Sequence, residues 1–164
     1  MISARKLSHI YLYTGSSWAR LTTENDDTLT TSIFTPSGNV VRQTNNVRFQ
    51  TFMATQTGSL LSVSVLIKDL GGVLGSRVIK LYQGNGNTGI LLTTLNLAGN
   101  IPGFYWETAT PPTSKINIYA GLTYTIETSE QYWVFQSGNP YAGGYSNSSF
   151  DPSDDYGFLI KVRN

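Results

Sequence analysis

The sequence has no cysteine, a single histidine and few charges. Without cysteine, disulfides, thiolate metal centres and cysteine nucleophiles are excluded, so the fold must rest on its core, on bound ions or on oligomer contacts. The one histidine, His9, opens a short β-type run among residues of structural type and offers no Ser-His-Asp arrangement. Charged residues make up 13% of the chain, against roughly 25% in ordinary soluble domains. The net charge is +1 and the lysines and arginines are scattered singly, so no basic stripe follows a phosphate backbone and nucleic acid is not an expected partner. Near the start, the apolar run over residues 10–13 is too short for a signal-peptide core or a membrane span. Neither N-terminal export nor membrane insertion is expected.

What is present is a 164-residue chain rich in Thr, Ser, Asn and Gly, a length that suits one core with an additional arm. Residues 10–13 and 18–22 read as two short strands around Thr14-Gly15-Ser16-Ser17, a hairpin. Residues 23–46 are Thr- and Asn-rich with Pro36 and Gly38, and only 29–34 and 40–41 suit short strands. We read residues 1–46 as a hairpin plus extended arm and residues 47–164 as the main body. In the body, Leu61, Val63, Val65 and Ile67 alternate with Ser62, Ser64 and Lys68, the period-two pattern of a strand with one buried face. Further β-type runs lie at 48–53, 77–82, 90–97, 104–108, 115–118, 122–128, 132–136 and 157–162. Turn signals every 8 to 12 residues predict an all-β antiparallel sandwich of jelly-roll type. No window of helical length carries a 3.6-residue apolar period free of Gly and Pro.

Several motifs carry chemistry only on first sight. Gly84-Asn85-Gly86-Asn87-Thr88-Gly89 fits the dinucleotide pattern, but the run Ile90-Leu91-Leu92-Thr93-Thr94-Leu95 follows where a helix must open. The glycines instead suit a hairpin loop that needs positive φ. Glu107, Glu127 and Glu130 could in principle supply a glycosidase pair, yet nothing in the sequence places two of them together, so no enzyme is expected. Asp151, Asp154 and Asp155 form the one acidic cluster and could hold a calcium ion with help from Asn147, against a solvated turn whose Asp side chains cap amides. No other cofactor is expected. Asn147-Ser148-Ser149 is a glycosylation triplet that reads as incidental. The most informative stretch is 132–156, where Trp133, Phe135, Tyr141, Tyr145, Phe150 and Tyr156 alternate with Gly, Asn and Ser. Rings among small polar residues serve a carbohydrate face or a protein interface. Trp133, Tyr141, Tyr145, Phe150 and Tyr156 are therefore the candidate ligand residues, although the rings nearest residues 132–135 would equally suit a core.

The body runs Val78-Ile79-Lys80-Leu81-Tyr82-Gln83-Gly84, Ala120-Gly121-Leu122-Thr123-Tyr124 and Gly138-Asn139-Pro140-Tyr141-Ala142-Gly143-Gly144-Tyr145 resemble jelly-roll modules related to carbohydrate-binding modules of bacterial surface proteins and virion proteins. Residues 10–18, Ile-Tyr-Leu-Tyr-Thr-Gly-Ser-Ser-Trp, look like short hairpins of phage tail and neck proteins. Together the resemblances imply a non-enzymatic virion structural or decoration protein, assembled in the host cytoplasm. Its partners would be other virion proteins and further copies of itself, with Tyr11, Tyr13, Trp18 and Phe34 as assembly residues. The alternative is a carbohydrate-binding module or adhesin at a cell surface, recognising a glycan.

Overall fold

A computed structural model of the chain describes residues 10–13, 18–21, 27–31, 47–69, 77–97, 103–112, 115–129, 133–139, 141–147 and 154–163. They are all-β, with no helix among them. Strands β1 (Ile10–Tyr13) and β2 (Trp18–Leu21) pair antiparallel as a two-stranded hairpin, with Tyr13 opposite Trp18. A four-stranded sheet holds β4 (Arg48–Met53), β10 (Thr123–Thr128), β6 (Arg77–Gln83) and β7 (Ile90–Leu97), in that order. The second sheet runs β3 (Asp27–Thr31), β13 (Phe158–Arg163), β5 (Gly58–Asp69) and β8 (Gly103–Ala109), and the short β9 (Asn117–Ile118) also pairs with β5. A small pair, β11 (Phe135–Gln136) and β12 (Asp155–Tyr156), completes the set. All these pairings are antiparallel.

The alternation read in β5 sets its inner face: Val63, Val65 and Ile67 are fully buried. A bulge between Lys161 and Val162 of the partner strand adds one residue on β5, so that Leu60 rather than Leu61 continues the buried row. Phe52 of β4 and Phe158 of β13 meet across the layers with ring centroids 5.4 Å apart, which makes the two sheets a β-sandwich around one core. Tyr124 stacks on Phe52 at 5.7 Å, and each such fully buried large side chain contributes about 1.5–3 kcal/mol. Between β6 and β7 the Gly-Asn loop turns the chain back on itself, with Gly84 at φ +117° and Gly86 at φ +72°, values that side chains avoid. The strand at 27–31 comes from the segment read as an arm, and it pairs with β13 along the edge of the second sheet.

Candidate functional site

The four described residues among the five expected to bind a ligand do not share a face. Trp133 and Tyr156 are fully buried and stack with centroids 4.5 Å apart, and Trp133 Nε1 donates to the Gly157 carbonyl at 2.7 Å, so neither ring presents surface to a ligand. Tyr141 is half-buried, edge-on to Phe158 at 5.2 Å, and its hydroxyl donates to the Met53 carbonyl at 3.3 Å. Tyr145 is exposed, edge-on to Phe49 at 5.8 Å. Phe150 and Asp151 lie outside the described residues, as does Phe34. Tyr11, Tyr13 and Trp18 fall in the β1–β2 hairpin.

The two described members of the acidic cluster, Asp154 and Asp155, turn inward. Asp155 is buried, and its Oδ1 accepts from Gln50 Nε2 at 2.8 Å while Oδ2 accepts from the Tyr141 amide at 2.9 Å. Burial pushes its carboxyl above the usual range, opposed in part by those two donors. Asp154 is buried as well, and its carbonyl accepts a short hydrogen bond from the Ser146 hydroxyl. Among the described residues no three His, Asp or Glu side chains gather as a metal-binding group.

Glu107 and Glu127 are separated by the sandwich itself. Glu107, on the inner side of β8, takes a two-point ion pair from Arg77 of β6 at 2.9 and 3.1 Å, which ties the two sheets together. Glu127 faces the other way on β10 and accepts from Lys80 at 2.8 Å and, more distantly, from the Tyr82 hydroxyl at 3.4 Å. That pairing raises the Lys80 ammonium above its ordinary value, through the hydrogen bond first and the charge second. Burial raises the Tyr82 phenol. Each carboxylate is thus committed to a cation, Glu107 to one on the opposite sheet and Glu127 to one on the neighbouring strand. Glu130 lies outside the described residues.

A pair of exposed rings on one strand lies instead on the outer face of the second sheet. Residues of β8 alternate, so Phe104, Trp106 and Thr108 point outward while Glu107 and Ala109 point in. Phe104 and Trp106 are 44% and 39% exposed, two rings on one face of one strand, about 7 Å apart at the usual rise. Lys68 of β5 lies over the Phe104 ring at 4.8 Å. Ser64 and Thr108 join their hydroxyls at 2.8 Å in the next row. Further along β5 the same face continues through Ser62 and Lys161 to Ser59, which is flanked by Asn117 of β9 on one side and Arg163 of β13 on the other.

There the surface deepens into an open groove of about 400 Å³ whose walls include Thr57, Ser59, Lys115, Asn117, Tyr119 and Arg163. Alternation again sets the direction: Ile116 and Ile118 are buried, and Lys115, Asn117 and Tyr119 are exposed. The Tyr119 loop is pinned from beneath, because its amide donates to the Tyr124 hydroxyl at 2.8 Å and the Ala120 amide donates to Thr57 Oγ1 at 3.0 Å. Phe104, Trp106, Lys115 and Tyr119 did not stand out in the sequence. The signal was present as alternate aromatic and polar positions, but alternation separates two faces without saying which is outside.

No protein-family model matches the chain. No curated protein matches it in sequence.

Proposed function

We propose that this protein is a non-catalytic glycan-binding module that recognises saccharide through the outer face of its β3-β13-β5-β8 sheet. The observation that carries the reading is the exposed Phe104–Trp106 pair beside the Ser64–Thr108 hydroxyl row. Sugar rings present flat C–H faces that pack on aromatic rings, and their hydroxyls need donors and acceptors set alongside. The distribution of acids supports the non-catalytic part, since Glu107 and Glu127 sit on different sheets and each is taken up by a cation. The sandwich belongs, on this reading, to the jelly-roll group; in both sheets neighbours come from distant parts of the chain, as β4 beside β10 and β13 beside β5. A virus particle as the place where the module is displayed is a further part of the proposal. It rests on the resemblance of residues 10–18 and on the β1–β2 hairpin as a self-paired element.

A glycan array read together with the oligomeric state tests this. Saturable sugar binding by the monomer, lost by about tenfold or more in Trp106→Ala with unfolding free energy within about 0.5 kcal/mol of the parent, is the expected result. Oligomers that give no glycan signal would sink the module and favour assembly as the function.

A further inference from the structure

We propose that the groove at the β9 end of the same face is a subsite for a carboxylate-bearing sugar, so that the module reads an acidic oligosaccharide; the inference rests on the glycan reading. Three features of the groove point to that ligand. Its volume of about 400 Å³ suits a small saccharide unit, within the range of pockets that take small molecules. Its walls combine one ring, Tyr119, 47% exposed, with the hydroxyls of Thr57 and Ser59 and the amide of Asn117. Its charged members, Lys115 and Arg163, are both cations.

Outward side chains of β5, β8 and β13 include Lys68, Lys161 and Arg163, and no carboxylate among those described. Removal of Lys115, which precedes β9, changes the charge of the groove without touching the β13–β5 ladder. A carboxylate there would sit against the Lys115 ammonium, with its ring against Tyr119 and its hydroxyls toward Asn117 and Ser59. From Ser59 to Leu66, the partner of Trp106 on β5, the strand is about 23 Å long at the usual rise. A monosaccharide therefore reaches one end only. An oligomer can rest a neutral ring on Trp106 and place an acidic ring in the groove.

The test is calorimetric titration with acidic oligosaccharides, namely oligogalacturonate, hyaluronan oligomers and sialyl-lactose, each beside its neutral methyl ester. At least one acid form binds about tenfold tighter than its ester, and the advantage collapses in Lys115→Gln and at high salt, whereas Tyr119→Ala weakens acid and ester alike. Esters that bind as well as acids, or an acid preference that survives Lys115→Gln, would remove the acidic subsite and leave the glycan reading intact, provided Trp106→Ala still abolishes binding. Absence of binding by any acid, ester or neutral glycan would overturn the glycan reading and this inference with it. Competition by a single-stranded oligonucleotide at equal strength would reassign the face as a general anion surface and equally overturn the proposal.

Discussion

The two outer faces of the sandwich are built from the same alternation but finished differently. On the four-stranded sheet, the outward residues Thr125, Glu127 and Tyr82 are nearly inaccessible. Residues 143–147 run beside β4, with the Thr51 amide donating to the Tyr145 carbonyl at 2.8 Å and the Asn147 amide to the Phe49 carbonyl at 3.2 Å. The Gly84–Gly89 loop also leans in, close enough that a β-carbon on Gly86 would lie 3.8 Å from the Phe49 ring and 3.9 Å from the Tyr145 hydroxyl. Polar groups there are satisfied within the chain. On the other sheet Phe104, Trp106, Thr108, Lys161 and Arg163 are exposed, with Ser64 and Leu66 buried between them. Matched polar groups under cover serve stability, and the exposed Phe104 and Trp106 rings are the surface to which the proposal assigns recognition.

The sharpest way to break this division is to attack the tie between the sheets, since both faces depend on it. Glu107→Ala leaves the Arg77 guanidinium buried without its carboxylate, an uncompensated charge that costs about 3–5 kcal/mol. Chemical denaturation should show that loss. Glycan binding should persist in whatever fraction remains folded, because neither residue reaches the outer face of β8. A Glu107→Ala variant as stable as the parent would mean that the ion pair does not hold the layers.

Part of this was legible in advance. Period-two runs located nearly every strand, and the Gly-Asn hexapeptide read as a hairpin loop because no helix could follow it. The face proposed for recognition was not legible. In Phe104-Tyr105-Trp106 three aromatics follow one another, and only the structure separates Tyr105, packed on the core, from its two exposed neighbours. Lys115 and Arg163 are remote in sequence and meet only because β5 pairs with β9 on one edge and β13 on the other. Trp133 and Tyr156 misled in the opposite direction. Their Gly-, Asn- and Ser-rich surroundings suggested an exposed loop, but the Leu66 amide donates to the Gly157 carbonyl, the Gly157 amide to the Val134 carbonyl and the Val134 amide to the Leu66 carbonyl, and both rings are buried.

A milder change should separate the covered face from the open one. A β-carbon on Gly144 would collide with the Thr51 carbonyl oxygen, so Gly144→Ala pushes residues 143–147 off β4. The strain of such overpacking is about 1–3 kcal/mol. Hydrogen exchange at the Thr51 and Met53 amides should quicken, since both donate to this segment, at 2.8 and 3.1 Å. Saccharide affinity should stay within about twofold, because the open face belongs to the other sheet. A larger change in affinity would show that the two faces are coupled through the core.

The smallest effect is one of pH. Asp155 sits at the seam between β4 and β12, and burial raises its carboxyl above the value it has in the unfolded chain. The folded state therefore holds the proton to higher pH than the unfolded state does. Its favourable contribution is fully present below the ordinary carboxylate range and is lost as pH rises through the raised folded value. Asp155→Asn cannot titrate, and it replaces one acceptor facing Gln50 Nε2 or the Tyr141 amide with a donor, so it lowers stability at every pH. The informative quantity is the slope of the difference. Urea unfolding of parent and variant from pH 4 to 7 should show the parent's advantage shrinking as pH rises, whereas an advantage that grows would mean that the Gln50 and Tyr141 donors outweigh desolvation and hold Asp155 as a stabilised anion.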